Sequence, residues 1–262
     1  MALEFLEPLV REAGEIIREG FYKAKEIHYK SSVDLVTRYD VAVEEFLLPR
    51  LQALYPDYQL VGEESTHEIP TTGRLIYIDP IDGTTNFVHS VPHVAISIGV
   101  WDEGQGIEGI VYNPILDELY YGQKGCGALL NGNPLRVSAT SNLQDSLMAT
   151  GFPYTKVLRG QDYRWVIAMI EKILPATRDV RRLGSASIDL CMVARGTFDG
   201  YYEINLKPWD VAGGIVILQE AGGRVSALSN LYTMNERVIV ASNGAIHQKL
   251  VDLLLNPSQH DE

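Results

Sequence analysis

Cysteine is nearly absent: Cys126 and Cys191 are the only two in 262 residues. With no CxxC and no closely spaced His-Cys pattern, neither a disulfide framework nor a zinc site is suggested, and a reducing compartment is the default. Cations are scarce too. Lys and Arg number 22 against 34 Asp and Glu, a formal charge of -12, which disfavours nonspecific attraction to nucleic acid or to anionic membrane. An anionic substrate would need help from a local cation. There is no long apolar run. The opening "MALEFLEPLVREAGEIIREGF" repeats apolar residues at Leu3, Leu6, Val10, Ala13, Ile17 and Phe21 with acids and bases between them, an amphipathic helix rather than a signal peptide or a membrane span. The expectation is a cytoplasmic protein. Internal repeats, low-complexity tracts and flexible linkers are also missing, so any two halves should pack as one body. What remains is ordinary for a globular chain, 46% hydrophobic and 21% charged, and long enough for one large domain or two intimately packed halves.

A second helix is expected from about Arg38 to Leu54, with Pro49 kinking it or ending it early. Strand candidates follow at Gln59-Val61 and Leu75-Ile78, then in "HVAISIGVW", "GIEGIVYN" and "DELYYGQ", joined by Gly-rich or Asn-Pro turns; such punctuation predicts an antiparallel meander. From about Leu143 strands alternate with helices, the helix candidates being Tyr163-Leu174, Ala186-Arg195, Val211-Ala221 and Ala245-Leu255. The expected organisation is an α+β half over residues 1–140 and a more α/β half over residues 141–262.

Chemistry concentrates in "DPIDGTTNF", residues 79–87. Pro80 has no N–H to give a ladder, so the strand is expected to stop at Asp79 and turn. Asp82 can then face the same point as Asp79, and the carbonyl of Ile81 adds a neutral oxygen, a set of hard ligands suited to Mg²⁺ rather than zinc. Gly83 permits a close backbone approach, and Thr84-Thr85 can open a short helix whose free N–H groups would bind phosphate oxygens. Three further acids stand in "GEES" (Glu63), "KSSVDLVTRYD" (Asp40) and "KPWDVAGG" (Asp210). Taken singly, each acid has a plain structural reading: a capped turn at Asp82, a solvated turn acid at Glu63, a helix-dipole acid at Asp40, an N-cap at Asp210.

Together "GEES", "DPIDGTTNF" and "WDVAGG", in this order and over nearly the whole chain, resemble the inositol monophosphatase family of Mg²⁺-dependent, lithium-sensitive sugar phosphatases. The resemblance implies a layered αβαβα sandwich of two tightly packed halves, often assembled as a homodimer. It implies Glu63, Asp79 and the Ile81 carbonyl as ligands of one Mg²⁺, and Asp79, Asp82 and Asp210 as ligands of a second. A third, weaker ion is often held near the equivalent of Glu63. Mn²⁺ shares the same oxygen ligands and octahedral geometry. Phosphate would rest on the N–H groups of Gly83 and Thr84, while Thr84, paired with Asp40, and Glu63 position and deprotonate a water. Asp82, the Gly184-Ser185-Ala186 segment and Glu203 would meet substrate hydroxyls. The run "KSSVDLVT", beginning at Lys30, is one residue shorter than the "KSSPVDLVT" form common in the family, which bears on the third ion.

The implied reaction is hydrolysis of a small polyol phosphate, with inositol 1-phosphate as the reference. Fructose-1,6-bisphosphatase activity, alone or in addition, is the rival; its second phosphate would draw on Arg164, Arg181, Arg182 or Lys207. A regulatory, protein-binding role beside catalysis is the alternative of another class, and direct nucleic-acid binding is not expected. His89 and His93 are expected to be packed or hydrogen-bonded rather than ligands, Cys191 a core thiol, and Trp209 an anchor for the helix carrying Asp210. The pairs Tyr120-Tyr121 and Tyr201-Tyr202 read as strand residues with one buried ring each.

Overall fold

The structure, a computed structural model, describes residues 3–23, 27–29 and 35–255. Lys30 and its neighbours up to Asp34 lie outside the described residues. Helix α1 (Leu3–Phe21) leads into the antiparallel ribbon of β1 (Ile27–Tyr29) and β2 (Leu35–Thr37), then into α2 (Arg38–Leu54). The α1 stripe is buried at Leu6, Val10, Ala13, Ile17 and Phe21, the spacing that the sequence shows. Helix α2 does not end at Pro49 but runs on to Leu54. Pro49 and Glu45, whose carbonyl the ring leaves without a helical partner, are exposed and can be hydrated, while Leu47 and Leu51 hold the other face in the core.

Seven strands form the first large sheet in sequence order: β3 (Gln59–Gly62), β4 (Arg74–Asp82), β5 (Ala95–Asp102), β6 (Gln105–Asn113), β7 (Glu118–Gln123), β8 (Gly127–Leu130) and β9 (Asn133–Pro134). Only the β3–β4 pair is parallel; the others make the expected antiparallel meander. The short helix α3 (Thr84–Val88) fills the β4–β5 connection. The second sheet has five strands, β10 (Leu147–Thr150), β11 (Asp179–Arg181), β12 (Gly200–Ile204), β13 (Arg224–Ser226) and β14 (Val238–Ser242), in the order β11-β10-β12-β14-β13. With it come α4 (Gln161–Ala176), α5 (Ala186–Ala194), α6 (Pro208–Glu220) and α7 (His247–Leu255).

Three apolar clusters define five layers. One joins α1 and α2 to the outer face of the seven-stranded sheet, a second places α5 and α6 between the two sheets, and a third packs α4 and α7 on the far face of the five-stranded sheet. The result is a mixed α+β, αβαβα sandwich. Because helices cover both faces of each sheet, all four rings of Tyr120, Tyr121, Tyr201 and Tyr202 are buried, rather than one per pair. Among the described residues no helix is long and apolar enough to cross a membrane.

Helix α6 begins at Pro208, earlier than the Val211 expected, because Pro at the first helical position loses no bond there. Its residues Val211 to Leu218 are all buried, as an all-round apolar helix between two sheets requires. It sits in a trough of glycines. Gly99, Gly109 and Gly122 lie side by side on β5, β6 and β7, and a Cβ on them would meet Ala212 at 2.6 Å, the Gly213 carbonyl oxygen at 2.3 Å and Ile217 Cα at 2.8 Å. No side chain fits there, so backbone meets backbone.

Candidate active site

Strand β4 carries the first acids, and it corrects the expected stop at Asp79. The strand continues through Pro80 and Ile81 to Asp82, with its register shifting on the way: Asp79 faces Ser97 while Asp82 faces Ala95. Three steps on one strand answer two on the other, so one residue is extra. Two residues three apart on a regular strand point to opposite faces; a bulge of one residue returns them to the same face and accommodates a proline without an N–H. Ile81 N–H donates to Asp79 Oδ1 at 3.0 Å, bracing the bulge. Gly83 then turns the chain with φ +93°, and a Cβ there would meet the His93 carbonyl oxygen at 2.8 Å.

Thr84 opens α3, its hydroxyl lying 3.1 Å from both Asp40 Oδ1 and the Ile81 carbonyl oxygen. One hydroxyl proton serves one of these acceptors at a time. Asp40 is held by the start of α2, where the Thr37 backbone N–H donates to its Oδ2 at 2.8 Å and the Thr37 hydroxyl at 2.5 Å. It is therefore both the capping-box acid of that helix and the partner of Thr84. Burial pushes its carboxyl up to about 6, partly opposed by the Thr37 bonds.

Glu63 follows β3, its backbone N–H bonded to the Ile78 carbonyl at 3.1 Å, which ties "GEES" to β4. Asp210 stands at the third position of α6, not at the N-cap, and its Oδ2 accepts the Lys207 N–H at 2.7 Å. Asp82 Oδ2 accepts from the Ser185 hydroxyl and from the Ser187 N–H, both at 2.7 Å, at the start of α5. The Ser185 hydroxyl is thereby committed to orienting Asp82.

Burial holds the Asp79 carboxyl well above the ordinary carboxylate range, with Glu63, Asp82, Asp210 and Asp40 pushing the same way. Asp210 is raised likewise by burial, then by Glu63 and Asp82. Burial also raises Asp82, against the pull of its hydrogen bonds from Ser187 and Ser185. These acids are costly to ionise together unless a cation sits among them. The donors are carboxylate and carbonyl oxygens, which fit Mg²⁺ or Mn²⁺. Among the described residues no three such side chains already converge as a finished ligand set, so the fit rests on donor chemistry and mutual electrostatics.

Glu203 lies on β12, the central strand of its sheet, and is buried. The Tyr201 hydroxyl donates to it, and burial pushes its carboxyl up to about 8. A Cβ on Gly151 would fall 2.0 Å from its carboxylate oxygens, so the chain after β10 passes directly over it. Of the four cations considered for a second phosphate, Arg182 lies over the Phe152 ring at 5.2 Å, with Nη1 2.6 Å from the place of a Gly184 Cβ. Arg181 is paired with Asp179 at 2.5 Å on the surface, and Arg164 is exposed on α4. Lys207 is exposed beside Asp210.

His93 Nε2 is 3.2 Å from the buried Asp189 Oδ1, while His89 is exposed, not packed. Cys191 is fully buried, and Trp209 is buried in the inter-sheet core. Sequence reasoning passed over three residues. Glu44 is buried on α2, one turn past Asp40, and accepts the Glu64 N–H at 2.9 Å; its carboxylate lies 2.5 Å from the place of a Gly62 Cβ. Its spacing from Asp40 on one helix face was the available signal. Asp189 and Lys156 had none, since what brings them to the site is tertiary.

A layered fold that gathers buried acids beside a glycine turn and a helix start defines a class of phosphatases. A model of the inositol monophosphatase family matches residues 2–258. Inositol monophosphatase 3 of Solanum lycopersicum is 41% identical over 261 residues, covering 96% of each chain. The Nus factor SuhB of Salmonella typhimurium is 37% identical over 256 residues, covering 93% of this chain and 95% of that one. The crystal structure of the extragenic suppressor protein suhB from Bartonella henselae superposes with a TM-score of 0.90 at 31% identity, covering 98% of this chain and 99% of that one. The chain belongs to the inositol monophosphatase family and is a phosphatase acting on phosphate monoesters.

Proposed function

We propose that the protein hydrolyses a small polyol phosphate, inositol 1-phosphate being the reference substrate, with Mg²⁺ or Mn²⁺ as cofactor. The observation that carries this reading is the bulged end of β4, which brings the buried Asp79 and Asp82 to one face beside the Gly83 turn, with Asp210 close enough to raise the carboxyl of Asp79. Glu63, Asp79 and the Ile81 carbonyl would hold one ion, and Asp79, Asp82 and Asp210 a second; a third would lie near Glu63. Bound ions supply positive charge to the phosphoryl oxygens and lower the pKa of a water. The Gly83 and Thr84 N–H groups bind the phosphate at the start of α3. Thr84, its hydroxyl donating to Asp40, accepts a hydrogen bond from the attacking water, and Glu63 takes that water's other proton. In-line attack forms a new P–O bond to the remaining hydroxide and breaks the ester P–O bond; the leaving oxygen takes a proton from a solvent water and departs as the alcohol, and the hydroxide so formed is neutralised by the proton held on Glu63. Asp82, the 184–186 backbone and Glu203 orient the alcohol's hydroxyls.

The reading is tested by initial-rate phosphate release from inositol 1-phosphate and from fructose 1,6-bisphosphate, with and without Mg²⁺, with Asp82→Asn as the blank. Lithium in the tens of millimolar, about the range for a weakly held cation, should inhibit; full activity there would count against the second ion.

One observation favours the bisphosphate rival. Lys156 is lowered by burial, then by the charge of Arg182, and both cations feel Glu203. Neither has an ion-pair partner among the described residues. Two cations beside the substrate-facing glutamate would suit a second phosphate, and Lys156→Ala should then depress bisphosphate turnover alone. The regulatory role draws support from the name of the Salmonella typhimurium relative. For the homodimer, Val157, Leu158, Tyr163 and Ile167 offer exposed apolar surface on one segment, which sedimentation would test. The cytoplasmic setting is supported by two free cysteines.

A further inference from the structure

Asn86, the last residue of "DGTTN", has no task in the reading above. It is buried in α3, and its side-chain nitrogen donates to the His93 carbonyl at 2.8 Å and to the Leu183 carbonyl at 2.9 Å. Both acceptors are carbonyl oxygens, so the amide can sit only with its NH₂ toward them, and each of its two hydrogens has an acceptor. The two carbonyls belong to different parts of the chain. His93 precedes β5, whereas Leu183 lies between β11 and α5, 97 residues from Asn86.

The phosphate turn lies between the same two strands of chain. The place of a Gly83 Cβ is 2.8 Å from the His93 carbonyl oxygen and 3.3 Å from that of Gly184, and the place of a Gly184 Cβ is 3.3 Å from the Asn86 nitrogen. Beyond Gly184, Asp82 ties Ser185 and Ser187 to β4. Gly184, with φ +93°, is thus held on one side by Asp82 and on the other by Asn86.

We propose that Asn86 is a positioning residue: it clasps the 183–184 backbone to the Gly83–Thr84 turn and so fixes the spacing between the phosphate and the hydroxyls of the alcohol. The selectivity part of this inference rests on the phosphatase reading, with 184–186 facing the alcohol; the clasp itself does not. Asp82 alone leaves the chain before Gly184 free to shift. A displacement of about 1 Å in a substrate-positioning segment is enough to cost on the order of 10²-fold in rate.

The test compares wild type with Asn86→Leu, which has about the same size but no donor and no charge, and with Asn86→Ser, which keeps one donor. The serine variant is read if the leucine variant does not fold. KM for inositol 1-phosphate should rise about tenfold or more, while KM for p-nitrophenyl phosphate, whose leaving group carries no hydroxyls, should move less than about threefold. Amide hydrogen exchange over residues 183–188 should quicken about tenfold with β4 unchanged. Calorimetric Mg²⁺ affinity should stay within about twofold, since Asn86 is not among the acids of the site. Equal KM changes on both esters, or unaltered exchange over 183–188, overturn the proposal. Wild type that turns over neither ester defeats the phosphatase reading instead, and the exchange pattern then decides the clasp alone.

Discussion

Helices α2 and α6 present their site acids in the same way. Each begins with an acid at its third position that accepts the N–H three residues back, Asp40 from Thr37 at 2.8 Å and Asp210 from Lys207 at 2.7 Å. What holds the two helices differs. Helix α2 is an outer-layer helix with one exposed face, pinned by a threonine cap. Helix α6 lies between two sheets with its backbone against Gly99 and Gly109, and it has no side-chain cap. The same capping geometry can thus be secured by a local bond or by global packing. The two should fail differently when damaged.

The largest effect is expected at the acids themselves. Asp210→Asn should lower kcat/KM at saturating Mg²⁺ by about 10³-fold, the scale of losing a group aimed at developing charge. Asp40→Asn, acting through Thr84, should cost about 10- to 100-fold. Equal losses would count against the proposed division between Asp210 as a cofactor ligand and Asp40 as a residue that orients the water. Next comes the trough. Gly109→Ala puts a methyl group 2.3 Å from the Gly213 carbonyl oxygen and should destabilise by about 1–3 kcal/mol as overpacking does, measured by denaturant melts, with Asp210 displaced and activity reduced. A fully stable, fully active Gly109→Ala would mean that α6 is not fixed by the sheet. Thr37→Ala removes a cap worth about 1 kcal/mol, and its thermal melt should fall while β-sheet exchange protection is kept.

The smallest effect is in pH. The Asp40 carboxyl rises from 3.8 to about 6 on folding, so its ionised form is disfavoured in the fold. Its contribution to stability is present below about pH 4 and lost as pH rises through 6. In protein stripped of divalent cations, Asp40→Asn should flatten the fall of Tm across that window. An unchanged slope would show that Asp40 does not sit in the desolvated setting described above. Glu203, raised from 4.5 to about 8, gives the same trend over a window that overlaps that of Asp40 and continues beyond it, so Glu203→Gln should also flatten the curve between about pH 6 and 8, where Asp40→Asn does not.

Much of the site was legible because it is local. "DPIDGTTNF" holds Asp79, Asp82, Gly83 and Thr84 within one bulged strand end and the turn after it, and the amphipathic stripe of α1 needs only its own spacing. The rest was hidden for stated reasons. Pro80 looked like a strand end because a missing N–H is visible in sequence, whereas the bulge that tolerates it depends on Ser97 and Ala95 across the ladder. Asp210 looked like an N-cap because Pro208 was not counted as the first helical residue. The burial of Glu203 was hidden because alternation along a strand cannot reveal a second layer of helices over it.

By itself the sequence determined the kind of chemistry: oxygen donors with no cysteine or histidine among them, a turn that only glycine can make, and helix starts with acids in their first turn. Those are properties of residue types at short separation, set by sterics and by the donors each side chain carries. The tertiary structure decided which of the 34 acids share charge, which cations stand beside Glu203, and how close α5 and α6 come to β4. Burial and distance between residues about a hundred positions apart depend on how layers pack, and the Coulomb and desolvation energies that tune the site follow from those distances alone.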